Sequence, residues 1–306
     1  MSTAAKKEVH DLKYYTKCLT GGGMACAFTH VVTLPLDIVK CRKQADPTLF
    51  KSIGDGFRMM RAQEGLKVFG LGWFPTTIGY AAQGACKYGL YEVNKDIYRN
   101  TFGENALKYQ TVGFLVSAAA AEIVGDLFLC PFEALKVRMQ TSTPGTFPST
   151  TGAAWSKIMK EEGWNGFYKG LVPLIGRQVP YTVVKFISFE YIVRSFYTNI
   201  FTNPKESYSK GTQLGITFAS GYMAGILCAI ASHPADTMVS ILNKKGSAPG
   251  VSTSQQVKQI YSEIGFKGLW VGMGARIIMI GTIAGLQWWI YDAYKVMCGL
   301  STMGGK

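Results

Sequence analysis

Seven ionisable side chains stand inside long apolar stretches of this sequence: His30, Lys87, Glu122, Asp126, Arg177, Lys185 and Arg276. They offer two kinds of chemistry. Lys87, Arg177, Lys185 and Arg276 are cations, and Gln83, Gln178, Tyr181 and Gln287 add amide and hydroxyl groups at nearby helical positions. Guanidinium gives forked hydrogen bonds and ammonium gives a point charge, so this set suits a small multivalent oxyanion. His30, Glu122 and Asp126 can pass protons. Histidine titrates near neutrality, and Glu122 and Asp126 stand four apart, on one face of a helix. A single such charge is as often half of a structural pair. Seven together point to a polar route through an apolar interior.

The elements that must position them repeat three times. A proline–acid–cation motif occurs as PLDIVKCR (35–42) and PFEALKVR (131–138), and in weakened form as PADTMVSI (234–241); the prolines are 96 and 103 residues apart. EGLKVFGLG (64–72), EGWNGFYKG (162–170) and IGFKGLWVG (264–272) follow in step. So do YEVNK (91–95), FEYIVR (189–194) and YDAYK (291–295), each starting 19 residues after the preceding glycine. The chain therefore divides into repeats at 1–107, 108–205 and 206–306. That period is about twice the 20–50 residues usual for soluble solenoid repeats.

Each repeat holds two apolar segments: 15–42 and 74–97, 111–139 and 173–195, 213–242 and 274–296. Each can supply the ~20 residues of a membrane-spanning helix. Small-residue patches such as GGGMACA (21–27), SAAAAE (117–122) and GYMAG (221–225) allow close helix packing in lipid. The fold class is thus all-α, six transmembrane helices in three pseudo-symmetric pairs. Pro35, Pro131 and Pro234 fall inside the odd-numbered helices and predict kinks there.

The repeat register separates gates from a binding site. Asp37, Glu133 and Asp236 form one ring of acids, with Lys40 and Lys136 as cations and Val239 where the third cation would stand. Glu92 with Lys95, Asp292 with Lys295, and Glu190 form a second ring towards the opposite end. Positions that break the symmetry are where an asymmetric substrate would be read. Among them are His30/Asp126/Ala229, Cys26/Glu122/Gly225, Tyr80/Gln178/Ile280, Gln83/Tyr181/Ile283 and Lys87/Lys185/Gln287.

Composition narrows the alternatives. The net charge is +13 without a concentrated basic arm, which speaks against nucleic acid. Seven scattered cysteines without C-x-x-C suggest neither a disulfide framework nor a zinc site. No Ser/His/Asp grouping, metal-ligand spacing or phosphate-cradling loop predicts an enzyme, and no cofactor is expected. The start, MSTAAKKEVHDLKYY, reads as neither a secretory signal nor a good transit peptide.

The three coupled copies of P-x-[DE]-x-x-[KR]-x-[RQ], two helices each, resemble the mitochondrial carrier family over residues ~15–297. Within it the chain is similar to the phosphate-carrying branch. The stretches are THVVTLPLDIVKCR (29–42), AEIVGDLFLCPFEALKVR (121–138), RQVPYTVVKFISFE (177–190), SHPADTMVSILN (232–243) and ARIIMIGTIAGLQWWIYD (275–292).

The resemblance implies import of inorganic phosphate through the mitochondrial inner membrane with a proton, or in exchange for hydroxide, by alternating access. Both termini would face the intermembrane space. It assigns proton coupling to His30, Glu122, Asp126 and Glu133. A matrix gate would be built from Asp37, Lys40, Glu133, Lys136 and Asp236. A cytoplasmic gate would be built from Glu92, Lys95, Glu190, Asp292 and Lys295. Substrate contact would lie at Arg177 and Gln178. Contact with inner-membrane lipid such as cardiolipin, and a monomeric state, complete the expectations. Gly70, Leu71, Ile264 and Val271 depart from the family's second motif. A copper-carrying alternative would use Cys26 and His30, at i and i+4; a small buried cysteine in a packed helix outweighs it. A non-transporting scaffold is disfavoured, because the mid-membrane charges are kept.

Overall fold

Proline lacks a backbone donor, and in the first repeat it coincides with a break. Helix α1 (Leu12–Val32) ends one residue before α2 (Leu34–Ala45), Pro35 sits in the first turn of α2, and the two helices bend by 61°. The computed structural model describes residues 10–46, 48–142, 145–168, 170–245, 253–270 and 273–303. The remaining helices are α3 (Ile53–Glu64), α4 (Trp73–Ala85), α5 (Tyr91–Phe102), α6 (Glu104–Lys108), α7 (Gln110–Thr141), α8 (Thr151–Glu162), α9 (Asn165–Tyr168), α10 (Leu171–Ser195), α11 (Lys210–Lys245), α12 (Thr253–Gly268) and α13 (Met273–Met297). A π-helical turn, Cys86–Leu90, joins α4 to α5. Unlike the first repeat, α7 and α11 run on through Pro131 and Pro234 as single helices.

Six long elements close into a ring: α1 packs on α4, α4 on α7, α7 on α10, α10 on α11, α11 on α13, and α13 back on α1. Gln110–Thr141 and Lys210–Pro234 are each long and apolar enough to cross a membrane, and bent α1–α2 qualifies as a third span. Helices α10 and α13 are 25 residues each, but α10 carries Arg177 and Lys185 and α13 carries Arg276 within the ring.

Glycines set the closest seams. A Cβ on Gly84 would stand 2.4 Å from the Gly22 carbonyl oxygen, so α1 and α4 touch backbone to backbone. A Cβ on Gly225 would stand 2.7 Å from the Cα of Gly281, so α11 and α13 also meet closely there.

The short helices follow a local rule that the motifs encode. Gly65, Gly163 and Gly265 occupy the same place in each repeat, with φ of 76°, 63° and 61°. This left-handed conformation stops α3 and α8 and puts a kink within α12. The acid before the first two glycines holds the last cation of the proline motif. Arg42 pairs with Glu64, and Arg138 Nη2 donates to Glu162 Oε2 at 2.8 Å. In the third repeat both positions are isoleucine, Ile241 and Ile264. The side chain of Ile241 lies outside the described residues.

An aromatic layer fills the ring between its two ends. Trp288 stacks on Phe189 at 3.7 Å between centroids, and Tyr88, Tyr91, Phe186 and Tyr291 pack around the pair, all buried.

Candidate functional site

On the proline-motif side of this aromatic layer lies a cavity of about 210 Å³. Helices α1, α2, α4, α7, α10, α11 and α13 all contribute to its wall. Gln83, Lys87, Arg177, Gln178, Tyr181, Arg276 and Gln287 line it, together with His30. The ring brings them together from α4 and its π-helical turn, α10 and α13. Lys185 sits just behind the wall, 1% exposed, donating to Gln287 Oε1 and lying 3.5 Å from the Tyr88 hydroxyl. Both of these partners are uncharged. Arg276 Nη2 donates to Ser232 Oγ at 3.2 Å.

Two carboxylates lie deeper. Glu122 and Asp126 are both 0% exposed, and a single amide holds them: Gln83 Nε2 donates to Glu122 Oε1 at 2.8 Å and to Asp126 Oδ1 at 3.0 Å. Glu122 also takes a cation, with Lys87 Nζ 3.0 Å from its Oε2. His30 is placed elsewhere. Its ring lies face to face with Tyr80, 3.6 Å between centroids and 13° between planes. Its Nε2 is 3.5 Å from Gln287 Nε2. An amide nitrogen donates and does not accept, and Lys185 fixes the Gln287 oxygen towards itself. The Gln287 amide nitrogen therefore faces His30 as a donor, while it also donates to Thr29 Oγ1 at 3.1 Å. The chain of contacts expected from His30 to Asp126 is thus replaced by two groups. One is His30–Tyr80–Gln287, and the other is Glu122–Gln83–Asp126. A shared depth along two helices does not fix the direction in which each side chain turns.

The cavity runs on to the motif end, where Asp37, Lys40, Glu133 and Lys136 line it. Lys136 Nζ donates to Asp37 Oδ2 at 2.9 Å and lies 3.7 Å from Glu133 Oε2. This is the lysine of one repeat bridging the acids of two. The side chains of Asp236 and Val239 lie outside the described residues.

Beyond the aromatic layer, a second hollow of about 470 Å³ is lined by Glu92, Lys95, Glu190 and Lys295, with Arg99, Arg194 and Lys205. Lys95 Nζ donates to Glu190 Oε1 at 3.0 Å and lies 3.6 Å from Glu92 Oε1. The expected pairing of Asp292 with Lys295 is not made. Both Asp292 oxygens accept from the backbone N–H of Met303 at 2.9 Å, and Oδ2 accepts from Thr217 Oγ1 at 2.7 Å. Lys295 Nζ lies 5.5 Å from the Tyr291 ring centroid instead. Lys205 on the rim donates to the Thr302 carbonyl at 2.6 Å, and burial pulls its pKa down to about 8.

Among the described residues, no group of three or more His, Cys, Asp or Glu could hold a metal ion. Cys26 is packed against α4, with its Sγ 2.7 Å from where a Gly84 Cβ would stand.

A family model described as "Mitochondrial carrier protein" matches residues 11–102, 108–200 and 211–301. The chain is a member of the mitochondrial carrier family. Like other members it is a transporter and not an enzyme, a multi-pass protein of the mitochondrial inner membrane. A relative in Schizosaccharomyces pombe, named a probable mitochondrial phosphate carrier protein, is 49% identical over 298 residues, covering 97% of this chain and 95% of its own. Mitochondrial phosphate carrier protein 3 of Arabidopsis thaliana is 49% identical over 300 residues, covering 97% of this chain and 78% of its own. Solute carrier family 25 member 3 of Homo sapiens is 46% identical over 303 residues, covering 97% and 81%.

Several of this carrier's contacting groups were not legible as such in the sequence. Tyr80 is the clearest. It lines the cavity, stacks on His30, lies under Lys136 Nζ at 5.1 Å and reaches Glu133 Oε2 at 3.4 Å. Its only sequence signal is that Tyr, Gln and Ile stand at the three equivalent positions. Thr217 and the backbone N–H of Met303 gave no signal at all.

Proposed function

We propose that this carrier moves inorganic phosphate across the inner membrane together with a proton, by alternating access. The observation that carries the reading is the cavity that Lys87, Arg177 and Arg276 line together with three amides, with His30 and Glu133 also on its wall. Relatives named phosphate carriers support the choice of anion.

The coupling follows from the pairing around Lys87. A phosphate entering the cavity competes with Glu122 for that ammonium. If Lys87 turns to the phosphate, Glu122 and Asp126 lose the ammonium bonded to them, buried and sharing one amide. Two adjacent buried carboxylates cannot both stay ionised, so the pair gains a proton as phosphate binds. Lys185, whose bonding partners are neutral, gains the counter-charge that its burial lacks. Release of phosphate reverses both events. His30, at the cavity wall, is the group placed to exchange that proton with the motif end.

The gates fit the same cycle. Lys95 with Glu92 and Glu190, backed by the aromatic layer, closes the cytoplasmic end, and Lys136 with Asp37 and Glu133 forms the matrix gate. Opening one while the other closes exposes the cavity to one side at a time.

The test is uptake of labelled phosphate into vesicles holding the purified carrier, with and without an alkaline lumen. Uptake driven by the gradient is the expected result, and uptake indifferent to it refutes the coupling. Citrate and copper ions are offered in the same vesicles. Preferred uptake of copper, abolished by Cys26→Ala while phosphate uptake is unchanged, would install the metal reading in place of this one.

A further inference from the structure

His30 reaches the matrix gate through one side chain. Tyr80 stacks on the imidazole at 3.6 Å, its hydroxyl lies 3.4 Å from Glu133 Oε2, and Lys136 Nζ sits 5.1 Å from its ring centroid. Lys136 is also the cation that bonds Asp37 and approaches Glu133. One phenol therefore touches the imidazole, a gate acid and the gate cation at once.

The repeats add an independent argument. At the His30 position the other repeats carry Asp126 and Ala229, and at the Tyr80 position they carry Gln178 and Ile280. Imidazole and phenol thus occur only in the first repeat, at positions on different helices that meet face to face. A role in general helix packing would not require the two to coincide.

We propose that Tyr80 is the positioning residue that couples His30 to the matrix gate, fixing the imidazole plane with its ring and passing changes there to Glu133 and Lys136. The inference rests on the proton-coupled reading above. When His30 takes a proton, the stacked pair becomes a cation on an aromatic face, and attraction draws the two rings together. The phenol cannot follow without altering its contacts to Glu133 and Lys136, so the Asp37–Lys136–Glu133 bridge feels the change. Other charges also face His30. Lys136 on α7, Asp37 on α2, Lys87 on the π-helical turn and Lys185 on α10 all act on it electrostatically. Gln287 on α13 meets its Nε2. Of these groups, Lys136 and Asp37 belong to the gate, and Tyr80 is the side chain packed on both His30 and Lys136.

The experiment uses the full carrier in vesicles and reads labelled phosphate uptake as a function of pH, with and without a gradient, for wild type, His30→Ala, Tyr80→Phe, Tyr80→Leu and the double variant. If wild type ignores the gradient, the proton-coupled reading falls and this inference falls with it. If wild type responds, Tyr80→Leu is expected to lose the pH dependence as His30→Ala does, with no further loss in the double variant. Tyr80→Phe, which keeps the stack and drops the Glu133 contact, is expected to restore the response with a displaced pH profile. A Tyr80→Leu variant that is merely slower, with the wild-type pH profile, overturns the inference. Should that variant fail to insert, Tyr80→Phe decides alone: a profile coincident with wild type overturns it.

Discussion

Lys185 and Lys87 are both buried lysines beside one cavity, yet their surroundings give them different work. Lys87 already has Glu122, whereas among the described residues Lys185 has Gln287 and Tyr88 as bonding partners. Losing Lys185 therefore removes a charge that no carboxylate bonds among the described residues. Lys185→Met is expected to weaken phosphate uptake by about 30-fold, the effect of about 2 kcal/mol lost from a desolvated charge contact. The loss should fall on KM, read from initial uptake rates across phosphate concentrations. Lys205 shows a different consequence of burial. With its pKa pulled down to about 8, it is largely the free amine above that pH, while ordinary lysines remain protonated to about 10.4. Below pH 8 its reactive fraction falls about tenfold per unit. An amine-acylating reagent applied near pH 8 should modify Lys205 ahead of the other lysines, as read by peptide mass mapping. At this scale the sequence was informative about which residues share a depth, since the repeat register matched Lys87 with Lys185 and Gln287, and the last two are bonded to each other. It was silent on which way each turns. That is why Glu122 and Asp126 proved to share Gln83, while His30 turned to Tyr80.

Among the elements, α1 and α4 meet backbone to backbone, with the Gly22 carbonyl 2.4 Å from where a Gly84 side chain would begin. Gly84→Val must push the helices apart and is expected to destabilise the carrier by about 3 kcal/mol, the top of the usual range for overpacking. Gly70, with open space around it, serves as the control, and Gly70→Ala should leave the detergent melting temperature unchanged. The C-terminal segment is the other element with a specific job. Its Met303 N–H occupies both oxygens of the fully buried Asp292, and its Thr302 is held by Gln213 and Lys205. A chain ending at Leu300 leaves that carboxylate with Thr217 as its remaining described donor and should melt at a lower temperature. Asp292→Asn in the shortened chain should recover part of the loss. The glycine patch at 21–27 marked the α1 side of the α1–α4 seam beforehand, whereas the C-terminal contact was not readable. YDAYK offered Lys295 as the obvious partner for Asp292, and a backbone donor carries no sequence mark. The proline motifs were partly legible: they placed the helices, but a break appears at Pro35 alone, while α7 and α11 continue through their prolines.

At the scale of the whole molecule, three repeats make a ring with a hollow on either side of its aromatic layer and a set of ionic contacts at each end, and the ring itself was legible from spacing. The third repeat is the least charged on the motif side. Val239, Ile241 and Ile264 stand where the first repeat has Lys40, Arg42 and Glu64. The loss is concerted, because Arg42–Glu64 and Arg138–Glu162 are the pairs that the other two repeats form. One repeat thus lacks both the gate lysine and this brace, and α12 and the nearby part of α11 are held there by other means. The central claim concerns the molecule as a transporter coupled to protons, and it is tested most directly by accumulation at equilibrium. Vesicles containing the carrier are given labelled phosphate and a lumen about one pH unit more alkaline than the medium. One proton moving with each monovalent phosphate predicts about tenfold accumulation of that anion inside, lost when the gradient is collapsed. Equal concentrations on both sides with the gradient intact would contradict the account.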